Sequence, residues 1–307
     1  MRRRLLPALL VLAVALAGCG DQAGSTGKTA DGKFEIVTAF YPLQFLSERI
    51  GGDVVSVTNL TKPGAEPHDL ELTPRQVGEV ADAGLAVYLK GFQPAVDEAI
   101  DLEAKDKGFD AAAVVPLLPA GGADEHGHEH EEAEGGEDPH VWLDPVRLAT
   151  IAGKLAERLG QADPEHAAGY TERAKALAAE LTTLDTEFAD GLRTCARREL
   201  VTSHTAFAYL AARYDLHQVG ITGISPEAEP SPQRLAAVAT EARETGTTTI
   251  YFETLVSPAV ADTIAREVGA RTAVLDPLEG LVDPKGDYFT VMRQNLAALS
   301  TGLGCSR

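Results

Sequence analysis

The sequence predicts an α/β protein of two parallel-sheet lobes joined by a long rigid connecting helix. Three observations carry this expectation. Short β-branched runs alternate with amphipathic helical stretches from Phe34 onward. The alternation is interrupted by one long glycine-poor stretch and then resumes. Three widely separated histidines, His68, His140 and His204, each follow a strand candidate, where open parallel sheets gather their ligands.

At the N-terminus, Arg2, Arg3 and Arg4 precede a continuous apolar run from Leu5 to Leu16. Ala17, Gly18 and Cys19 then supply the small residues of a signal-processing site. The run contains Pro7 and falls short of the roughly 20 apolar residues that cross a bilayer, so residues 1–19 read as a signal. Leu16-Ala17-Gly18-Cys19 resembles a bacterial lipobox, which implies lipidation at Cys19 and attachment to membrane lipid. Residues 20–33, polar and Gly/Ser-rich at their start, read as a flexible tether.

The N-terminal lobe is expected over residues 34–162, with strands at Phe34 to Ala39, Val54 to Asn59, Leu85 to Leu89 and Ala112 to Leu117. Residues 121–138 break its pattern. They hold His126, His128 and His130 among acids and glycines, with no apolar residue larger than alanine. Ordering them would cost about 1–2 kcal/mol of backbone entropy per residue without core burial, so a disordered loop is expected. Its His-x-His-x-His spacing could hold zinc weakly as an accessory site. Residues 163–192 are rich in Ala, Leu, Glu and Lys, and Asp163 followed by Pro164 is a helix start, so a linker helix roughly 40 Å long is expected there. The C-terminal lobe, residues 193–307, repeats the rhythm with strands near Leu200 to Thr202, Gln218 to Ile221, Thr248 to Phe252 and Thr272 to Leu275.

Composition narrows the function. A formal net charge of -19 argues against nucleic acid, whose binders present a basic face, and suits a protein that attracts cations. With Cys19 given to lipid, Cys195 and Cys305 remain as an even pair in an oxidising compartment and are expected to form a disulfide. Three imidazoles from His68, His140 and His204, with a carboxylate from Glu279 just past the last strand, make a tetrahedral donor set suited to Zn²⁺. Asp69 and Trp142 are candidates for supporting the ligands, while Glu227 and Glu229, flanked by prolines, shape a loop.

At these residues a family resemblance appears. Pro67-His68-Asp69, Asp138-Pro139-His140-Val141-Trp142-Leu143-Asp144-Pro145, Ser203-His204-Thr205-Ala206-Phe207 and Ser225-Pro226-Glu227-Ala228-Glu229-Pro230-Ser231 resemble the zinc-binding, cluster A-I solute-binding lipoproteins of ABC importers. The resemblance covers essentially the whole chain from Phe34. It implies two lobes bridged by a rigid helix and an interlobe zinc site built from His68, His140 and His204. It also implies delivery of Zn²⁺ to a cognate ABC permease by a monomer on the extracytoplasmic face of the membrane. Relatives that bind manganese carry a carboxylate as the third ligand, so histidine at 204 implies zinc; the fourth ligand varies within the family between a Glu, here Glu279, and water. Two other functions remain to be weighed. A zinc hydrolase would need an open coordination position, and no His-Glu-x-x-His helix occurs. A surface adhesin or structural lipoprotein would use zinc for folding and unfold without it.

Overall fold

The computed structural model describes residues 27–121, 136–283 and 285–306. The signal and Cys19 therefore lie outside the described residues, as do His126, His128 and His130. In the N-terminal lobe, strands β1 (Phe34–Thr38), β2 (Val55–Asn59), β3 (Leu85–Tyr88) and β4 (Gly108–Asp110) form a parallel sheet in the order β2-β1-β3-β4. Helices α1 (Tyr41–Gly51), α2 (Pro74–Asp82) and α3 (Pro94–Glu103) cross between them. Local chemistry sets their starts: Thr73 and Gln76 form a reciprocal capping box at α2, where Pro74 occupies a position that has no amide to satisfy.

Two departures from expectation fall in this lobe. The fourth strand is Gly108–Asp110, not 112–117. Val114 and Val115 look strand-like, but Asp110 Oδ1 accepts the amides of Lys90 and Ala112 and turns the chain, so 112–114 is a 3₁₀ turn. Residues 27–33 are no free tether where they are described. Lys28 bridges to Phe34, the Glu35 amide donates to the Gly27 carbonyl at 2.8 Å, and the Lys28 ammonium lies 3.4 Å from Asp163.

Past a short strand β5 (Leu118–Pro119), the chain returns as β6 (Glu137–Asp138), antiparallel to it. Glu137 and Asp138, at the end of the stretch expected as a disordered loop, are thus in a strand; residues 122–135 of that stretch lie outside the described residues. Asp138 is fully buried, because Tyr209 takes the Leu118 amide at 2.8 Å and donates to the Asp138 carbonyl at 2.6 Å.

Helices α4 (Pro145–Ala162) and α5 (Ala167–Leu192) follow as a tight antiparallel pair. Asp163 closes α4 rather than opening α5. Its amide donates to the Leu159 carbonyl, and its carboxylate takes His166 Nδ1 and the Tyr170 hydroxyl, each at 2.6 Å. Pro164–His166 form a 3₁₀ turn, so the long helix starts at Ala167. At about 1.5 Å per residue, its 26 residues span about 39 Å. Tyr170, Ala174, Leu177, Leu181, Leu184, Phe188 and Leu192, spaced by three and four, form its buried stripe. Arg173 donates to the carbonyls of Ile50 and Gly51 at the end of α1, whereas Asp185 and Glu187 receive Arg213 and Arg293 from the other lobe. The helix is thereby fastened to both lobes.

In the C-terminal lobe, β7 (Glu199–Thr202), β8 (His217–Gly220), β9 (Thr249–Phe252) and β10 (Arg271–Val274) form a second parallel sheet in the order β10-β9-β7-β8. It is flanked by α6 (Ala208–Arg213), α7 (Pro232–Glu244), α8 (Ala259–Val268) and α9 (Tyr288–Leu303). One hydrophobic core runs through both lobes, from Phe40 and Trp142 to Tyr288 and Leu299; a smaller one under α7 and α8 holds Val201, Val238, Ile250 and Ile264. Cys195 and Cys305 are disulfide-bonded across 110 residues, tying the end of the chain to the start of this lobe. Among the described residues, no helix is long and apolar enough to cross a membrane.

Candidate metal centre

The carboxyl ends of both sheets face a common cleft, and the chain delivers side chains there from four loops. His68 lies between β2 and α2, His140 just past β6, His204 two residues past β7, and Glu279 beyond β10. Their ligand atoms all lie within 4.8 Å of one another. Exposure is 7% for His68, 1% for His204 and zero for His140 and Glu279, so the group is an interior one.

Glu279 Oε1 stands 3.4 Å from His68 Nε2, 3.3 Å from His140 Nε2 and 3.3 Å from His204 Nε2. A tetrahedral ion with ligand distances of about 2.0–2.1 Å separates its ligands by about 3.3–3.4 Å, so these spacings match the edges of a zinc tetrahedron. His140 Nε2, His204 Nε2 and Glu279 Oε2 are buried and make no hydrogen bond, although the nitrogens are near enough to Glu279 for one. His68 Nε2 alone of the three Nε2 nitrogens has a partner, Glu279 Oε1 at 3.4 Å, and buried polar atoms left without one call for a ligand.

Each loop is braced. Gln93, buried beside the cleft, donates to the Pro67 carbonyl at 3.0 Å and to the Thr61 hydroxyl at 3.1 Å, and Glu66 accepts the His68 amide at 3.0 Å. Asp138 Oδ1 accepts both the amide of His140 at 2.9 Å and its Nδ1 at 2.7 Å. Glu253 Oε1 accepts His204 Nδ1 at 2.8 Å. The Glu279 loop is held more tightly still. Asn295 Oδ1 and Nδ2 pair with the Asp276 amide and carbonyl at 2.9 and 2.7 Å, and Trp142 Nε1 donates to the Pro277 carbonyl at 2.7 Å. Leu278, fully buried, sits at φ 60°, a left-handed backbone that a branched residue adopts only when its surroundings impose it. Its amide is anchored on Asp276 Oδ1 at 2.8 Å, which turns Glu279 into the cleft. Phe92 and Trp142 wall the site, with ring centroids 4.5 Å from His68 and 5.2 Å from His140 respectively.

The electrostatics are those of a cation site. Burial pushes the His68 imidazole below its ordinary value despite Glu279. Burial acts on His140 and His204 in the same direction, but carboxylates outweigh it: Asp138 and Glu279 raise His140, and Glu253 and Glu279 hold His204 at about 10. Burial would raise Glu279, but the three imidazoles pull it well below the usual carboxylate range. Glu66 is lifted to about 7, chiefly by burial and further by the charge of Glu279.

Sequence reasoning named the four residues that meet here, and Trp142 as a wall. Asp69 is exposed, and Glu66 occupies the place beside His68 instead. Glu227 and Glu229 are exposed in their loop, apart from the cleft. The supporting carboxylates were missed. Glu253 follows directly on β9, so the strand-end rule that selected the histidines also points to it. Asp138 carries the signal Asp-Pro-His, with a carboxylate two residues before its imidazole.

A family model described as zinc-uptake complex component A, periplasmic, matches residues 36–302. The zinc-binding lipoprotein AdcA of Streptococcus pneumoniae strain R6 is 38% identical over 94% of this chain; the chain spans 58% of that relative's length. The high-affinity zinc uptake system protein ZnuA of Bacillus subtilis is 35% identical over 94% of this chain and 93% of its own length. The crystal structure of the Zn(II)-bound ZnuA-like domain of the Streptococcus pneumoniae AdcA superposes with a TM-score of 0.75 at 35% identity, covering 89% of this chain and 99% of that domain. With the two-lobed fold and the buried His₃Glu group, these matches place the chain in the family of zinc-uptake component A proteins.

Proposed function

We propose that the chain is an extracytoplasmic receptor that captures one Zn²⁺ between its lobes and delivers it to an ABC-type permease. His68, His140, His204 and Glu279 are its ligands. The observation that carries this reading is four buried side chains whose ligand atoms converge within 4.8 Å, with three imidazole nitrogens at the edge lengths of a zinc tetrahedron from one Glu279 oxygen. The zinc named for the relatives supports the cargo, and the uptake complex named for the family supports the permease. The Leu-Ala-Gly-Cys motif supports a lipid anchor at Cys19 and a place at the outer face of the cell membrane. The acidic segment with His126, His128 and His130 is read as an accessory collector of metal, and the receptor as a monomer.

The chain is not read as an enzyme. Four protein ligands complete a tetrahedron and leave no position for the activated water of a zinc hydrolase. Against a role for the metal in folding alone stands an apolar core continuous through both lobes, whose burial supports a folded metal-free protein. Titration calorimetry tests the reading. Chelated protein remains folded by circular dichroism and binds Zn²⁺ with one-to-one stoichiometry, and His204→Ala and Glu279→Gln bind it much more weakly. Wild-type affinity in both variants, or an unfolded metal-free protein, refutes it.

A further inference from the structure

Glu253 lies at the carboxyl end of β9, one residue past Phe252, and is 2% exposed. Its Oε1 accepts His204 Nδ1 at 2.8 Å and the Ser203 hydroxyl at 2.6 Å. Its Oε2 is buried without a hydrogen-bond partner. Among the described residues, no lysine or arginine pairs with this carboxylate; its one ionic neighbour is His204.

The chemistry of the pair decides the ring. A carboxylate only accepts, so the imidazole places a proton on Nδ1, and in its neutral form the lone pair is left on Nε2. Nε2 is the atom that faces the cleft, 3.3 Å from Glu279. The backbone of the same residue is held separately, since the Thr202 hydroxyl and Gln218 Nε2 donate to the His204 carbonyl at 2.6 and 3.1 Å. Main chain and ring are thus fixed by different partners. The Ser203 hydroxyl aims the carboxylate, and the register of β7 with β9, Thr202 opposite Tyr251, brings the two loops together. His140 has an equivalent brace in Asp138, but within its own loop and shared with the backbone amide. The brace on His204 is a tertiary contact across 49 residues and serves the ring alone.

We propose that Glu253 is a positioning residue of the zinc site: it holds His204 with Nε2 turned into the cleft and keeps a buried carboxylate behind the ligand, which favours a dication there. This rests on the reading of His204 as a ligand. Removing an outer partner of a metal-bound imidazole costs about 10- to 100-fold in affinity, and a carboxylate behind the ring raises its donor strength.

Glu253→Ala removes both the acceptor and the charge. Glu253→Gln keeps an acceptor oxygen for Nδ1 and removes only the charge. Zinc affinity is measured by competition with a chelator, and the ligand sphere by the visible spectrum of the Co²⁺-loaded proteins. The expected result is a loss of about 10- to 100-fold in Glu253→Ala with an altered cobalt spectrum. Glu253→Gln loses roughly 3- to 10-fold and restores the wild-type cobalt band shape, a rescue that a merely structural role does not produce. If Glu253→Ala does not fold, Glu253→Gln decides alone. Affinity within twofold of wild type together with an unchanged cobalt spectrum, in every Glu253 variant that folds, overturns the proposal. His204→Ala separates the levels of failure: if it too keeps wild-type affinity, the ligand assignment has failed; if it alone loses affinity, only the positioning role falls.

Discussion

Zinc capture by this site is expected to expel protons, and by how many follows from the charges around the rings. In the metal-free cleft, Glu253 and Glu279 hold the His204 imidazole at about 10, so it carries a proton at neutral pH, and Asp138 with Glu279 makes His140 hold one more readily than a free imidazole. Burial lowers His68, which is neutral there, and Glu279 is already ionised. Bound zinc needs every imidazole lone pair, so one to two protons leave. Each released proton makes the affinity fall about tenfold, or about 1.4 kcal/mol, per unit drop in pH. As pH is lowered the fall therefore begins near 10, well above the ordinary imidazole range, and continues through about 6.5. The metal-free protein behaves oppositely. A raised imidazole adds stability that is complete below about 6.5 and is lost as the pH rises towards 10. The depressed Glu279 adds stability that is present above the ordinary carboxylate value and lost as pH falls through its lowered one. Calorimetry at pH 7.5 in buffers of different ionisation enthalpy counts the protons directly. A binding enthalpy that does not vary with the buffer refutes the reasoning.

Two further outcomes test how the fold supports the cleft. Asn295→Ala leaves the Asp276 amide and carbonyl without their partners and costs about 1–3 kcal/mol in urea unfolding, together with weaker zinc binding through the loosened Glu279 loop; a loss under about 0.5 kcal/mol counts against the clamp. Cys195→Ser with Cys305→Ser opens a loop closed across 110 residues and lowers unfolding stability by about 4–5 kcal/mol in the chain-entropy account. Zinc affinity stays at the wild-type value, because Cys195 precedes β7 and Cys305 follows α9, whereas the proposed ligand His204 lies past the opposite end of β7.

What the sequence made legible follows from the range of each signal. Parallel strands buried on both faces are short β-branched runs, and seven of the eight expected were found in place or within a few residues. The exception, β4, is Gly-Phe-Asp, with one apolar residue, beside a Val-Val pair that packs from a turn. Asp163-Pro164 carries a helix-start signal, yet in a tight helical hairpin the same aspartate ends one helix and staples the next. At the cleft, the strand-end rule and the family resemblance together found the histidines and Glu279. Glu253, directly after β9, satisfies the same rule, but a strand-end position alone does not say which ring it serves. Its partner is 49 residues away, and only the pairing of β7 with β9 reveals the contact. Leu278 gives no local warning either, since its left-handed backbone is imposed by Asp276, Asn295 and Trp142 from outside.

The same contacts bear on how far the lobes can part. His140 belongs by sequence to the N-terminal lobe, yet its loop is stitched to the other. Tyr209 donates to the Asp138 carbonyl at 2.6 Å, Tyr288 to the Trp142 carbonyl at 2.7 Å, and Trp142 to the Pro277 carbonyl at 2.7 Å. These bonds are buried, and stranding a partner costs about 1–3 kcal/mol for each group left unpaired. The continuous core through Phe40, Trp142 and Tyr288 would also be exposed by a wide opening, at about 25 cal/mol for every Å² of apolar surface. Helix α5, fastened at Ile50 and Gly51 on one side and by Arg213 and Arg293 on the other, resists the same motion. A displacement confined to the His68 loop breaks none of these three bonds, and His68 is the most exposed of the four proposed ligands, at 7%. Energetically, the cleft can give up one ligand far more readily than it can open as a hinge.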